Sequence, residues 1–155
     1  MSAELVQKVS VHDENNIKGF FGQYRWLSNF EECNIYYRGM WFASTEAAYM
    51  SGKTPLLEER HALTKMNPKE ARKYGQTIQL HPSWDEIKLI VMYEVNSTKY
   101  QIPKYKQLLF ETGDKYLEET NWWRDSFWGA HFGQGENHLG KILMYIRDGI
   151  KKGYL

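Results

Sequence analysis

The sequence of 155 residues has a single cysteine, Cys33, and no long apolar run. A lone cysteine excludes an internal disulfide and a cysteine-based zinc site, and it fits a reducing compartment. No apolar segment approaches the roughly 20 residues that a membrane-spanning helix needs, and the N-terminal segment lacks the apolar core of a signal peptide. These absences predict a soluble protein without a membrane partner, located in the cytoplasm of a bacterium or of a virus-infected host cell.

An excess of charge of one sign is also missing, because 20 basic and 19 acidic residues give a formal net charge of +1. The protein as a whole therefore has no electrostatic reason to bind nucleic acid, and such a partner would have to contact a local basic patch. Two groups of residues could supply that patch: Lys99, Lys104 and Lys106, or Lys65, Lys69, Arg72 and Lys73. No obligate protein partner is evident.

Motifs for metals and cofactors are absent as well. The five histidines lack the spacing of metal ligands, and the chain has neither a P-loop nor a GxGxxG motif. We therefore expect neither a metal nor a cofactor. Aromatic residues are plentiful, with six Trp and eleven Tyr, and their large flat side chains favour a ligand pocket.

Hydrophobic periodicity predicts a single domain over residues 1–155. Strand signals are few: Leu5–Val11, Phe20-Phe21, Asn34–Tyr37 and Met40–Ala43, the last two joined by a turn at Arg38-Gly39. Helical signals cover six segments: Ser44 or Thr45 to Ser51, Leu56–Lys65, Pro68–Tyr74, Trp84–Val95, Pro103–Glu111 and Leu139–Ile150. The predicted fold class is α+β, mostly helical with a small antiparallel sheet, and residues 1–18 form either an ordered strand or a flexible extension.

Polar residues before four of these helices predict N-terminal caps. Ser44 or Thr45 precedes the first helix, and Asn67 stands directly before Pro68. Ser83-Trp-Asp-Glu86 matches a capping box, and Asn137 is placed to cap the last helix.

The segment from Asp125 to Gly140 combines a carboxylate, a tryptophan and several glycines ahead of the last helix. Glycine loses much backbone entropy on folding, so a cluster of glycines indicates a tight turn or a close approach to a ligand. Trp128 could stack on a base or a sugar, and the start of the helix after Asn137 could attract a phosphate. The alternative is a glycine-rich loop between two core elements, with Trp128 buried.

Glu46 and Lys53 are seven residues apart, so two turns of helix place them on one face, about 10 Å apart along the axis. The small residues between them, Ala47, Ala48, Ser51 and Gly52, would let a substrate approach the helix. The alternative is a solvated helix whose Glu and Lys are too far apart to pair. Both interpretations stay open at this point.

Other candidate side chains are Asp125, Trp84 and Lys88, and a polar-aromatic loop holding Arg25, Trp26, Ser28 and Asn29. A second carboxylate at Asp125 suits the cleavage of a glycosidic bond, although this residue would also serve as a turn cap. Trp84 and Lys88 lie one helical turn apart and could face one site, or Trp84 could simply anchor the helix. The loop could supply phosphate and ribose contacts, or have this composition for no functional reason.

Taken together, these motifs resemble the NADAR family of YbiA-like proteins over most of the chain. The matching elements, in order, are Ser28-Asn29-Phe30, Gly39-Met-Trp41, Glu46 to Lys53, Trp84 to Lys88 to Met92, Thr112-Gly113, Asp125 to Gly129, and Asn137 to Met144. The family splits N-glycosidic bonds at C1 of a phosphorylated ribose. The resemblance therefore implies an N-glycosidase.

The resemblance also implies roles for individual residues. Lys53 would attack ribose C1 as a neutral amine, Glu46 would transfer the proton, and Asp125 would orient the ribose or stabilise the cationic C1. The implied substrate-binding residues are Arg25, Ser28, Asn29, Trp41, Tyr49, Trp84, Lys88, Trp128, Gly129, Asn137 and Gly140. Among them, Trp41, Tyr49 and Trp128 would desolvate Lys53, and Trp84 and Trp128 would stack on the base.

Three functions remain open from the sequence. The first is removal of ADP-ribose from a modified nucleobase, above all guanine in DNA, with an ADP-ribosylated nucleobase or nucleic acid as partner. The second is cleavage of a phosphoribosyl metabolite of the riboflavin pathway. The third is non-catalytic binding of ADP-ribose or NAD.

Overall fold

The computed structural model describes residues 10–155, in which two compact units form: residues 29–102, and residues 10–28 together with 103–155. The strands are β1 (Val11–His12), β2 (Asn16–Lys18), β3 (Glu32–Tyr37), β4 (Met40–Ser44) and β5 (Tyr116–Glu118). The α-helices are α1 (Thr45–Gly52), α2 (Leu57–Leu63), α3 (Pro68–Tyr74), α4 (Trp84–Lys99), α5 (Pro103–Glu111) and α6 (His138–Lys151). A 3-10 helix covers Gly22–Leu27.

The unit of residues 29–102 is built on a β-hairpin and four helices. β3 and β4 pair antiparallel, and the turn between them has Arg38 at φ 46° and Gly39 at φ 87°. Two successive left-handed residues match the twist of a two-residue hairpin, so the predicted turn is confirmed. Ile35 and Phe42 face each other across the hairpin, and both are buried. Helix α1 packs against this hairpin and against α2, α3 and α4.

The other unit contains a three-stranded sheet in the order β1-β2-β5. β1 pairs antiparallel with β2, and β2 pairs parallel with β5, which brings Ile17 opposite Leu117. Helix α6 covers β5 with its apolar face, on which Leu139, Leu143 and Ile146 are buried. The predicted α+β class with a small antiparallel sheet is confirmed, while the parallel pairing was not expected. The single domain over residues 1–155 stays a prediction.

The capping predictions divide into confirmed and wrong ones. Ser44 Oγ accepts from the Ala47 N–H at 3.1 Å, and Asn67 forms a complete capping box with Glu70. The predicted box at Ser83 is wrong, because its hydroxyl makes no cap bond and its backbone N–H instead donates to His81 Nδ1. The helix there begins without a side-chain cap.

Two further predictions also need correction. Phe20-Phe21 is not a strand, because β2 ends at Lys18 and Gly19, at φ 100°, turns the chain toward the 3-10 helix. Of the strand predicted at Leu5–Val11, only Val11 falls within β1, and residues 5–9 lie outside the described part of the chain.

Within residues 10–155, no helix combines the length and apolar character that crossing a membrane requires.

Candidate active site

Helix α1 carries Glu46, ends directly before Lys53 and is enclosed by its neighbours. All eight of its residues, Thr45–Gly52, are buried. A Cβ atom on Gly52 would lie 2.4 Å from Val91 Cγ1 of α4, so only glycine allows the two helices to approach this closely. The prediction that the small residues admit a substrate is therefore wrong, as is the solvated-helix alternative: these residues make room for the surrounding fold.

Lys53 ends this helix and places its amine against two aromatic rings. Its backbone N–H donates to the Met50 carbonyl at 3.1 Å, and its own carbonyl accepts from the His81 N–H at 2.6 Å. The Lys53 Nζ lies 5.6 Å from the ring centroid of Tyr49 and 5.9 Å from that of Trp84. The two ring centroids are 5.4 Å apart, so the amine occupies a corner with aromatic walls. The structure thus brings together three predicted site residues from α1 and α4.

The carboxylate of Glu46 acts on the same amine. Glu46 is buried, and its backbone N–H donates to the Asn29 carbonyl at 3.0 Å. Burial lowers the pKa of Lys53 below its ordinary value, the negative charge of Glu46 opposes this change, and the positive charge of Arg72 adds to it. A lysine with a lowered pKa reaches its neutral, nucleophilic form more readily, and a neighbouring carboxylate can receive or return its proton.

Asn29 lies beside this pair through its backbone. Its side chain is buried, with Nδ2 donating to Met92 Sδ at 3.2 Å. Its Oδ1 has no hydrogen-bond partner in the part of the chain that the structure describes, which leaves a buried acceptor unused. A buried acceptor without a partner is costly, so this atom suits a donor group that arrives with a ligand.

Trp41, also predicted for this site, lies on an outer surface of the unit, whereas the side chain of Lys88 is only 25% exposed. Trp41 is 62% exposed, with its ring 5.1 Å from that of Tyr36 on the outer face of the hairpin. A ring so open to solvent does little to desolvate an amine. Lys88 lies one turn after Trp84 on α4, and its Nζ is 3.3 Å from Asp85 Oδ1. The Asp85 side chain is itself 92% exposed, and a ligand-binding role of Lys88 stays a prediction.

The remaining predicted residues belong to the other unit. Arg25 is exposed in the 3-10 helix, and the Ser28 N–H donates to the Arg25 carbonyl at the end of that helix. Asp125 Oδ1 accepts from the backbone N–H groups of Phe127 and Trp128 at 3.0 and 2.9 Å. This is the turn cap that the sequence offered as the alternative for Asp125. Its catalytic role, and its convergence with Lys53 on one cleft, stay predictions.

The glycine-rich segment is explained by close backbone packing. A Cβ on Gly129 would lie 1.9 Å from the Glu119 carbonyl oxygen, and one on Gly140 would lie 2.2 Å from that of Leu117. Trp128 is partly buried, its carbonyl accepts from the Leu139 N–H, and its ring meets Phe127 edge-on at 4.8 Å. These glycines are therefore needed by the fold, whether or not a ligand binds here.

Asn137 does not cap α6 as predicted. It has a left-handed backbone, with φ at 52°, and makes no side-chain cap bond. Its Oδ1 instead accepts from the Glu119 N–H at 3.0 Å, while its Nδ2 donates to the Leu117 carbonyl at 2.9 Å and to the Tyr116 hydroxyl at 3.1 Å. The buried amide thus ties the loop to the end of β5, and these contacts account for the residue without a ligand.

An open cleft of about 580 Å³ lies elsewhere on the unit of residues 29–102. Its lining includes Cys33 and Met66, and none of the predicted site residues. Burial raises the pKa of the Cys33 thiol, which disfavours the reactive thiolate. Among residues 10–155, no group of three or more His, Cys, Asp or Glu side chains is arranged to hold a metal ion.

Sequence comparisons place the chain among known proteins. A family model described as the NADAR domain matches residues 12–151. A protein of Nostoc punctiforme named an N-glycosidase is 33% identical over 138 residues, which cover 83% of this chain and 86% of that protein. A riboflavin biosynthesis protein of Vibrio vulnificus is 31% identical over 134 residues, which cover 81% of this chain and 35% of that protein. The matched region is therefore about a third of the Vibrio protein.

A structural comparison identifies a solved protein with a similar fold. The NMR structure of the E. coli protein YbiA is similar with a TM-score of 0.79 and 24% sequence identity, covering 99% of this chain and 95% of that chain. At this level of identity, the likeness establishes a common fold.

Proposed function

The chain belongs to the NADAR family and is a hydrolase acting on N-glycosyl bonds, and from this premise we propose that it removes ADP-ribose from a modified nucleobase, with guanine in DNA as the first choice. The observation that carries the proposal is the amine of Lys53, held between the rings of Tyr49 and Trp84 beside the buried acid Glu46. This arrangement supplies a nucleophile, a proton carrier and a surface on which a base can stack.

The proposed reaction uses the Lys53 amine in its neutral form. Glu46 gives a proton to the ribose ring oxygen. The ribose ring then opens as the lone pair of the nucleobase nitrogen forms a double bond to C1. The Lys53 amine adds to C1, and the base departs with the electrons of the old C1–N bond and a proton. The resulting protonated imine between Lys53 and C1 adds water, which releases the sugar as an aldehyde, restores the neutral amine and returns a proton to Glu46.

The basic residues of the same unit favour a nucleic-acid substrate. Lys65, Lys69, Arg72 and Lys73 are exposed at the end of α2 and on α3. The charge of Arg72 acts on the Lys53 amine, so at least part of this basic group lies near the proposed reacting atom. Phosphates of a polynucleotide could therefore be held close to the base that is being repaired.

The relatives' names favour a second candidate substrate. The Vibrio vulnificus protein is named for riboflavin biosynthesis, as is a chloroplastic protein of Zea mays that is 33% identical over 92 residues, which cover 54% of this chain and 15% of that protein. A phosphoribosylamino-pyrimidine of that pathway presents the same bond, and the same Lys53 chemistry would cleave it. The two candidates differ in the leaving group and in whether a polynucleotide is bound. A purely non-catalytic role is set aside because the chain is a hydrolase.

The test incubates the protein with ADP-ribosylated DNA and, separately, with the phosphoribosylamino-pyrimidine, and identifies products by mass spectrometry. Release of ADP-ribose from DNA at a rate that falls as salt is added supports the first substrate. Cleavage of the pyrimidine alone replaces the first candidate with the second. Borohydride should trap a sugar adduct on Lys53 but not on Lys104, a matched control whose Nζ lies 5.3 Å from the Tyr105 ring but which is exposed. Cleavage by a Lys53→Met variant at the parent rate would refute the mechanism.

A further inference from the structure

We propose that Arg72 binds the phosphate group of the substrate at the Lys53 site and sets the preference for phosphorylated sugars. This inference rests on the proposed function, and it adds a residue that the sequence had placed only in a general basic patch. Arg72 lies on α3, outside every motif that identified the family.

The first support is the position of α3 against α1. Gly75 follows the last turn of α3, and a Cβ there would lie 2.2 Å from Met50 Sδ, so α3 and α1 are in close contact at this point. Arg72 precedes Gly75 by less than one turn and is exposed. Met50 precedes Lys53 by a similar distance along α1, and its carbonyl accepts the Lys53 N–H. The packing thus brings the last turn of α3 to the end of α1 that carries the amine.

The second support is the aromatic ring beneath the guanidinium. The Arg72 Cζ lies 5.8 Å from the centroid of the Phe30 ring. Phe30 directly follows Asn29, whose carbonyl accepts the backbone N–H of Glu46. A guanidinium over a ring is held by its face, while its N–H groups point outward around the edge. This orientation suits bidentate contact with a phosphate.

The third support is the effect that the negative charge of a bound phosphate would have on the Lys53 amine. A bound phosphate would favour the protonated form of Lys53, which cannot attack C1. A guanidinium between the two groups offsets the phosphate charge and keeps the neutral amine accessible. In the free protein, the charges that act on Lys53 are Glu46 on its own helix and Arg72 on α3, and Arg72 already lowers the pKa of the amine. Arg72 would therefore act in both binding and reactivity.

The experiment compares ribose 5-phosphate with ribose by calorimetric titration. The parent is expected to bind the phosphorylated sugar about 10-fold to 100-fold more tightly, as two charge-assisted hydrogen bonds allow. Arg72→Gln should remove this preference, Arg72→Lys should keep part of it, and Lys141→Gln, the loss of an exposed positive charge that belongs to no proposed binding group, should keep all of it. A parent without the preference, or an Arg72→Gln variant that retains it, overturns the inference.

A second measurement separates this inference from the proposed function. Borohydride trapping of ribose 5-phosphate on Lys53 is followed against pH for the parent and for Arg72→Gln. Loss of the positive neighbour raises the pKa of Lys53, so the trapping rate should reach its plateau at a higher pH in the variant. If no adduct forms in the parent while the binding preference depends on Arg72, the imine mechanism fails and the phosphate site stands. If the adduct forms and the binding preference survives Arg72→Gln, the phosphate site at Arg72 fails and the imine mechanism stands.

Discussion

Replacing Asn137 by Ala should destabilise the protein by about 4 kcal/mol. The side chain makes three hydrogen bonds, to the Glu119 N–H, the Leu117 carbonyl and the Tyr116 hydroxyl. Each such bond contributes about 1 kcal/mol, and its loss leaves the backbone partners unsatisfied. Asn137 also has a left-handed backbone at φ 52°, where alanine costs about 1 kcal/mol more than asparagine.

Equilibrium unfolding in urea, followed by circular dichroism, measures this loss directly. For a chain of this length, about 4 kcal/mol corresponds to a fall of about 8–16 °C in the thermal midpoint. Asn137→Gly keeps the left-handed backbone accessible and should lose about 3 kcal/mol, because only the hydrogen bonds disappear. Asn34→Ala is the control, since Asn34 is exposed on β3 and its loss should cost less than about 0.5 kcal/mol.

The result that would refute this reasoning is an Asn137→Ala variant that unfolds within about 1 kcal/mol of the parent. If that stable variant also failed to bind ribose 5-phosphate, Asn137 would be a ligand-binding residue, as the sequence resemblance implied. A structural role of Asn137 therefore predicts a loss of stability, whereas a ligand role predicts unchanged stability with a loss of binding.

Three further predictions concern α1 and Lys53, which directly follows it. Lys53→Met should lower the turnover rate by about 10³-fold or more, because the nucleophile is removed. Burial lowers the pKa of Lys53, so between that lowered pKa and the ordinary lysine value the unfolded chain binds more protons than the folded one. Parent stability therefore rises as the pH approaches the ordinary value of 10.5, and the stability of Lys53→Met relative to the parent should fall over the same range, as urea titrations would show. Gly52→Ala should destabilise by about 1–3 kcal/mol, because the new methyl group meets Val91 Cγ1 at 2.4 Å. Val91→Ala should relieve part of that cost in a double-mutant cycle, and strictly additive effects would contradict the contact.

Features that depend on neighbours in the sequence were predicted well. The Arg38-Gly39 turn and the Asn67 cap each arise from a few adjacent residues, and the structure has both. The cap predicted at Asn137 failed, although it used the same local rule. Its left-handed backbone turns the side chain toward acceptors on β5, which the local sequence does not reveal.

Pairing between distant segments was not predictable from local patterns. β2 and β5 pair parallel although about a hundred residues separate them in the chain. Both strands have three residues, too short for a clear alternation of apolar and polar side chains. Their pairing depends on the burial of Ile17 and Leu117 within one unit, which is a property of the folded chain.

The predictions for the candidate site show the same difference between local patterns and contacts of distant segments. Helical spacing predicted Glu46 and Lys53 on one face, about 10 Å apart along the axis. In the structure the charge of Glu46 acts on the Lys53 amine, and Trp84 from α4 lies beside that amine. Arg72 was missed as a neighbour of Lys53 because the contact runs between two helices, and no spacing rule links them. Residues that came from the family motifs, such as Gly129 and Gly140, are explained here by backbone packing.

The enclosure of α1 has a consequence for how such an enzyme can diversify. A helix in which every side chain has a neighbour tolerates few substitutions, so the acid and the amine are fixed to the least adaptable part of the fold. Selectivity for a new leaving group would have to arise in the outward-facing residues around that helix, such as those of α3. One bond-breaking step can then act on different leaving groups, with the reacting pair left unchanged.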